Sequence, residues 1–545
     1  MMLLLHTPVS AISDIAENPS TDVTEYTDPN GYIRHMEFNS NGFLTKDVLA
    51  QGDPEQQTTT YTRDPNTNLV QSKTDALGRT TAYTYHSLGN TLSETQLAGT
   101  SSPATTSYQY DPNFSQITSV TDPLGHTWTF SLDGNGNVQT ITDPLGHQTT
   151  ENHDTEGNLT SYADALGDIT HFAYTNGELT SIADPLGNTS YFFSDAAGRT
   201  IWTEDPLGST TNISYSPLDD LTQSMDTDGH LTKFGYDENS NLTTVTDANG
   251  GVTSYTYDPM NRKASRTDPL LATETYGYDG NGNLTGHTDR RGQTTVYQYD
   301  GINRRKFAGF GYASGSYEST SSYTFDPGDR ITQIVDSIAG TTVRQYDGLD
   351  DLTDEQSAQG EVGYLFDNAR RRTSMTVVGQ QTVSYGWDNA NRLIGITQGS
   401  MSIPFGYDSA DRRTSLTLPN GIVLTYTYDN DSRVTAMTWT LASNPVGDLE
   451  YSYDADSRVI EKTGSFAQTG LPQAVTGNTF NAANEMTAFN GTPQTYDANG
   501  NLTNDGTSTY NWDARNHLTA IAGPNAASFA YDADGRRAQK TVNST

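Results

Sequence analysis

The sequence predicts an all-β fold, a long antiparallel sheet of about two dozen stacked β-hairpins, and three observations carry that prediction. The aromatic pattern Tyr-x-Tyr-Asp returns at a fixed interval: Tyr236, Tyr257, Tyr278 and Tyr299 are each 21 residues apart. Looser copies extend the rhythm from about residue 38 to Tyr531, roughly 24 beats in all. One period over nearly a whole chain marks a single supersecondary unit stacked on itself many times. Turn-forming clusters fall every 10 or 11 residues, which leaves strands of about 5–7 residues, the usual strand length. The composition suits strands as well. Leu, Ile, Val and Phe together make only about 17% of the chain, but 32 tyrosines supply the apolar area that such a count omits, and Tyr and Thr are strand formers. A disordered chain would be poor in aromatics and would lack the period.

Residues 1–24 are expected to form an irregular lead-in. Met1 to Pro8 holds only three consecutive leucines with no basic flank, too short for a signal-peptide core or a membrane span. Repeats that carry Asp-Pro-Leu-Gly turns are expected over residues 25–300. In residues 221–262, strands are expected at 221–225, 230–236, 242–246 and 252–257. The turns between them are Asp226-Thr-Asp-Gly229, Asp237-Glu-Asn-Ser240 and Asp247-Ala-Asn-Gly250. Two turn classes alternate. One is Asp-Pro-Leu-Gly at 122–125, 143–146, 184–187 and 205–208, with Asp-Ala-Leu-Gly at 75–78 and 164–167. Asp first, Pro second and Gly fourth suit a type I turn, with the Asp carboxylate accepting from the backbone two residues on. The other class follows Tyr-Asp, and its fourth position, as at Gly198, Asn261 and Asn303, calls for positive φ.

Residues two apart share a face of a strand, so each Tyr pair lies on one side of the sheet. Equivalent strands of successive hairpins are roughly 10 Å apart, and the stacked repeats build a ladder of tyrosines. A twisted sheet of this many strands does not stay flat and open, so it must curl or cover something. Repeats continue over residues 301–540 in a changed form. The Pro turns disappear, the loops at 310–322, 439–448 and 464–479 vary, and Arg stands four residues after the Tyr-Asp aspartate, as in Asp258/Arg262, Asp300/Arg304, Asp388/Arg392, Asp408/Arg412, Asp429/Arg433 and Asp454/Arg458. Such a pair, if exposed, is worth under about 1 kcal/mol. Residues 541–545 read as a truncated tail, and both ends look cut from a longer protein.

Net charge is −36. Residues 1–250 carry −26 of it and residues 251–545 only −10. That field repels phosphate backbones, so nucleic acid and anionic lipid are poor partners, and a basic polypeptide suits it better. With no Cys, there is no disulfide framework, thiolate metal site or Cys nucleophile.

Tyr255-Thr-Tyr-Asp-Pro-Met-Asn-Arg262, Tyr426-Thr-Tyr-Asp-Asn-Asp-Ser-Arg433 and Tyr531-Asp-Ala-Asp-Gly-Arg536, in phase with some two dozen looser copies, resemble the RHS/YD repeat over about residues 25–540. Members of that family include bacterial Rhs polymorphic toxins, toxin-complex C components, wall-associated proteins and teneurins. The resemblance implies a sheet spiralling into a hollow YD-shell, complete or partial, which in the toxins encloses a C-terminal toxin. In toxin members a core segment near the end of the shell carries an aspartate-based self-cleavage. No such segment follows Tyr531, so shell formation carries over and self-cleavage does not.

The candidate sites read as structure. Asp122 and Asp143, like Asp184 and Asp205, form pairs that could do acid–base chemistry if close, but their spacing is the repeat period. Asp133-Gly-Asn-Gly-Asn137 and Asp279-Gly-Asn-Gly-Asn283 resemble the start of a calcium loop, without the Gly at position 6 or the acid at position 12. The Asp ladder could hold Ca²⁺ loosely. His126 and His147 follow equivalent turns with no third metal ligand implied. The basic run Arg370-Arg-Arg372 reads as a solvated hairpin flank. Asn158, Asn241, Asn283 and Asn501, each followed by Leu-Thr, match glycosylation acceptors but sit at turn-to-strand junctions. The expectation is a non-enzymatic structural shell with no catalytic, cofactor or metal residues. It would encapsulate or present a toxin or cargo polypeptide encoded downstream, and would be secreted or at the cell surface, with no membrane span. The alternative is a wall-associated adhesion module binding carbohydrate or a cell-surface ligand through its tyrosines.

Overall fold

The computed structural model describes residues 15–18, 22–468, 470 and 473–543. Met1 to Pro8 and the last two residues of the expected tail lie outside that range. Among the described residues the fold is all-β with no helix, and 51 strands follow one another along the chain. Two strands, Ile15–Asn18 and Val23–Thr27, lie within or overlap the segment expected to be irregular. Among the described residues no helix is long and apolar enough to cross a membrane.

The expected repeat appears nearly residue for residue. Strands Leu221–Met225, Leu231–Tyr236, Leu242–Thr246 and Val252–Tyr257 alternate with the expected turns. Neighbours pair antiparallel in chain order, with Gly235 opposite Thr244, Thr244 opposite Ser254 and Ser254 opposite Thr267. Repeated along the chain, this pairing makes a long antiparallel sheet. The register slips by one residue beside the second tyrosine of the Tyr-Asp strands, at Tyr236 and Tyr257. In Tyr-Asp strands such as Val252–Tyr257, both tyrosines are half-buried and the Thr256 between them is exposed, as period-two alternation requires.

The two turn classes differ in sequence but share one backbone geometry. In the Pro class Asp122 N donates to His126 O at 2.9 Å and Gly125 N to Asp122 O at 3.0 Å. In the Tyr-Asp class Asp258 N donates to Arg262 O at 2.9 Å and Asn261 N to Asp258 O at 2.9 Å. The fourth residue is left-handed in both, Gly125 at φ 89° and Asn261 at φ 59°. Each is a three-residue hairpin loop, a type I turn closed by a left-handed residue. Because hairpins alternate in direction, the two classes stand on opposite rims of the sheet.

A single sheet layer leaves few side chains fully covered. Ala308 at 0% and Ile334 at 2% exposure are among the few buried apolar residues. The buried polar groups include Asp268, Asp289, Asp300 and Asp336, and a buried carboxylate persists only when it is paired and hydrogen-bonded. The chain forms two compact units, each assembled from segments distant in sequence: Met1–Ala82, Thr232–Glu361 and Gln473–Thr545 in the first, Tyr83–Leu231 and Val362–Pro472 in the second.

Candidate functional site

The side-chain chemistry concentrates at the turns. The Asp that opens each turn uses one oxygen to cap the loop. Asp326 Oδ1 accepts from Gly328 N at 2.8 Å and Arg330 N at 3.1 Å. Its other oxygen accepts from Arg330 Nε at 2.7 Å. The guanidinium then reaches the next repeat, where Nη1 donates to Asp347 O at 2.8 Å and to Asp350 Oδ1 at 2.9 Å. Its carbon lies 4.9 Å from the centre of the Tyr346 ring. Tyr346 in turn donates its hydroxyl to Ile331 O at 2.9 Å. The same set recurs at Arg392, which binds Asp388, Asp408 O and Asp411 and stacks on Tyr407. Arg304, Arg371, Arg412 and Arg433 repeat the bond to the next turn's carbonyl, over Phe325, Trp387, Tyr428 and Tyr453. Five of the six Arg residues expected to close their own hairpins, Arg262, Arg304, Arg392, Arg412 and Arg433, therefore also clasp the next one and are largely buried, whereas Arg458 is 60% exposed and its guanidinium binds Asp456 instead of Asp454. Spacing in the sequence shows the Asp–Arg pair but not this reach, which needs the strand stacking itself.

These contacts set the charge state of the turn acids. Backbone donation from Arg262 holds the Asp258 carboxyl below the usual range, with the Arg262 side chain adding to it against burial. At Asp195 the side-chain bonds from Arg199 dominate in the same direction. Burial raises the tyrosines, Tyr257 and Tyr346 among them, and keeps them neutral donors.

The residues singled out in the sequence take defined places in this scheme. Asp122 and Asp143 are each engaged by their own turn. Asp143 Oδ1 accepts from Leu145 N and His147 N, both at 2.8 Å, and Oδ2 faces His147 Nδ1 at 2.9 Å. Asp122 makes the same set with His126, its Nδ1 at 3.0 Å. Asp133 accepts from Asn135 N, Asn137 N and Asn137 Nδ2, and Asp279 accepts from both nitrogens of Asn283 and from Asn30. Asn158, Asn241, Asn283 and Asn501 each donate their side-chain amide to the turn aspartate at 2.9 Å. The Arg370–Arg372 run does not stay a solvated flank. Arg371 clasps Asp367 at 2.8 Å and Arg372 lies 4.5 Å over Tyr385.

Within each unit, distant segments meet rim to rim with one polarity. In the first unit Asn281 donates to Asp28 at 2.7 Å, Gln57 to Asp329 at 2.5 Å and Arg79 to Asp350 at 2.5 Å. On the opposite rim of the middle segment, Asn499 donates to Asp289 at 2.6 Å, and Arg515 donates to Asp336 at 2.7 Å and Ser319 at 2.9 Å. Although burial opposes it, the buried Asp336 carboxyl is held low by the Ala339 N–H, Ser321 and Arg515. In the second unit Ser409 donates to Ala165 O at 3.2 Å and Arg458 approaches Asp205 at 3.7 Å. Each time, a Tyr-Asp-class turn of the later segment abuts the other rim of the earlier one. One such junction in the second unit borders an open cleft of about 450 Å³ lined by Asp143, His147, Asp164, Asp168, Asp411 and Asp431. There one side-chain atom each of Asp143, His147 and Asp411 lies within 4.8 Å of the others, so a third group beside the Asp143–His147 pair comes from a turn over 260 residues away in sequence.

The RHS Repeat family model matches residues 115–148, 153–189, 215–252, 236–272 and 278–306, and the Teneurin YD-shell model matches residues 422–545. The tRNA nuclease WapA of Bacillus subtilis strain 168 is 46% identical over 68 residues, which are 12% of this chain and 3% of that protein. The tRNA3(Ser)-specific nuclease WapA of Bacillus spizizenii matches to the same extent. Among solved structures, the crystal structure of TcdB2-TccC3 covers 95% of this chain at TM-score 0.52 and 14% identity, with 31% of that chain covered. The Photorhabdus luminescens Tc holotoxin pore is similar at TM-score 0.50 and 14% identity over 95% of this chain and 30% of that one. The chain thus spans a few per cent of its curated relatives and about a third of these structures, and the structural likeness is one of fold.

Proposed function

We propose that this chain, which belongs to the RHS/YD-repeat family, is a structural wall that encloses or presents a polypeptide cargo and performs no catalysis of its own. The observation that carries this reading is the rim-to-rim docking within each unit. Segments far apart in sequence are joined side by side with one polarity, which turns a ribbon of hairpins into a broad continuous surface. The turn carboxylates that could have done chemistry are already engaged by backbone N–H groups, Asn, His or Arg. The acidic balance favours a basic cargo, delivered from a secreted or cell-surface protein of which this chain supplies part of the shell. The nuclease activity in the name of the WapA relatives rests on 68 matched residues and gives no reason to assign that activity to this chain.

The test is protection. The chain is expressed within its parent open reading frame, and digestion of the downstream segment by a soluble protease is followed against the same segment expressed free. Enclosure predicts digestion slower by at least tenfold until the wall is unfolded with denaturant. Equal rates would refute it. Binding to carbohydrate or a cell surface is a second reading, favoured by one exposed aromatic patch. Tyr191 and Phe193 are 43% and 46% exposed, and Phe193 packs on Trp202 with ring centres 4.4 Å apart. Glycan-array binding abolished by Tyr191→Ser would support that reading, and binding that survives the substitution would remove the patch from it.

A further inference from the structure

We infer that Asp143, His147 and Asp411 form a site for one divalent transition-metal cation, which ties together the two segments of the second unit. His147 and Asp143 belong to one Asp-Pro-Leu-Gly turn, and Asp411 is the fourth residue of the Tyr-Asp-class turn that abuts it. The three ligand atoms lie within 4.8 Å of one another. The 2.9 Å between His147 Nδ1 and Asp143 Oδ2 is close to the ~3.0 Å that two ligands about 2.1 Å from one ion span at 90°, and a tetrahedral ion would spread them to about 3.4 Å. One Asp411 oxygen accepts from Arg392 Nη1 at 2.8 Å, which orients the carboxylate and leaves its second oxygen for the ion. An imidazole with two carboxylates suits Zn²⁺ or Mn²⁺ better than Ca²⁺, which prefers six or more oxygens.

A second, independent observation says that this position calls for a cation. In the first unit the equivalent pair is Arg79, four residues after Asp75, and Asp350, fourth in its own Tyr-Asp-class turn. There the guanidinium donates to both carboxylates, at 2.7 Å and 2.5 Å. The second unit replaces that permanent cation with His147, whose ring nitrogen is a metal-ligand atom and carries no fixed charge. The adjoining cleft adds Asp164, Asp168 and Asp431. A bound ion would supply the charge that Arg79 supplies in the first unit.

The repeat itself provides conservative variants. Asn stands at the His147 position in several turns and keeps the clasp on the turn Asp, as Asn188 does at 2.7 Å. Asn391 stands at the Asp411 position and accepts from Arg371 at 2.8 Å. His147→Asn and Asp411→Asn should therefore fold. Equilibrium dialysis and native mass spectrometry of the full chain with Zn²⁺ should show one tight equivalent, weakened at least tenfold by either substitution. His126→Asn, in a turn faced by Asn368, Arg370 and Asn391 instead of Asp, should leave it unchanged. Uptake by the wild type that is absent, equally tight in His147→Asn, or multiple and satisfied as well by Ca²⁺ would overturn the assignment.

Discussion

Replacing Arg330 with Ala should destabilise the wall far more than an exposed ion pair would. The guanidinium is 16% exposed, and the substitution removes charge-assisted bonds to Asp326, Asp347 O and Asp350 as well as the face of Tyr346. Charge-assisted bonds of this kind contribute about 1.5–3 kcal/mol each when well shielded, and the ring contact about 1 kcal/mol. Screening at a half-buried site and the backbone N–H bonds that Asp326 retains reduce the sum to about 2–4 kcal/mol. Arg330→Asn separates the two halves of the clasp, since Asn at this position still closes its own turn, as Asn137 does at 3.0 Å, but does not stack on the next ring. It should lose about half as much. An array opens locally, so the assay is hydrogen exchange at the amides of residues 326–351. The Ala variant should exchange on the order of 30- to 1,000-fold faster. A change below about threefold, or an Asn variant as damaged as the Ala variant, would show that the reach into the next repeat contributes nothing.

Three further outcomes follow from the turns and the tyrosines. The carboxyls of Asp195, Asp226, Asp258 and Asp326 are held below their unfolded values, so their contribution is complete above about pH 4 and is lost as pH falls through the folded values. Urea midpoints should be flat from pH 7 to about 4.5 and drop steeply below about 4, and a plateau extending to pH 2 would contradict this. Leu271 occupies the fourth turn position at φ 69° with 82% of its surface exposed, so Leu271→Gly should relieve strain and raise the melting temperature, by up to about 1 kcal/mol after Gly's greater unfolded-state entropy; a lower melting temperature would refute the strain. Tyr299→Phe removes the hydroxyl donated to Leu284 O at 3.0 Å and should cost about 1 kcal/mol by thermal melting, whereas a neutral result would leave the tyrosine ladder with a packing role only.

Local chemistry was legible in the sequence and the long-range chemistry was not. The strands from 221 to 257, the turn geometry and the left-handed Gly198, Asn261 and Asn303 follow from alternation and from the steric freedom of Gly and Asn, all encoded within a dozen residues. The Arg330 clasp spans two repeats, and only the stacking distance shows that a guanidinium reaches the neighbouring turn. The meeting of His147 with Asp411 was not readable at all. It depends on which hairpins come side by side after many others have intervened, and every repeat offers nearly the same residues, so spacing cannot select the partner.

The uneven charge of the chain now has a local explanation. The turn Asp recurs in both segments, but its partner four residues on changes. In the second unit, Asn137 and Asn158 are the partners at two turns of Tyr83–Leu231 and Arg199 at a third, while His86 and Ser216 replace the Asp at two others; in Val362–Pro472 the partners are Arg371, Arg392, Arg412 and Arg433, with Arg458 bound to Asp456 instead of its own turn Asp. An amide satisfies the carboxylate's hydrogen bonding but leaves its charge, so the earlier segment accumulates negative charge that the later one neutralises turn by turn. The amide also lacks the stacking and the bond to the next turn's carbonyl. Tyr83–Leu231 should therefore be both the more acidic and the more loosely clasped segment. Hydrogen exchange at its Tyr-Asp turns should be faster than in Val362–Pro472 and should slow with added salt, because screening relieves repulsion among exposed carboxylates. Arg199 should stand out as a locally protected turn, with Arg199→Asn bringing it to the rate of its neighbours. Uniform exchange across both segments, insensitive to salt, would mean that the Asn and Arg clasps are equivalent and that the charge gradient has no mechanical consequence.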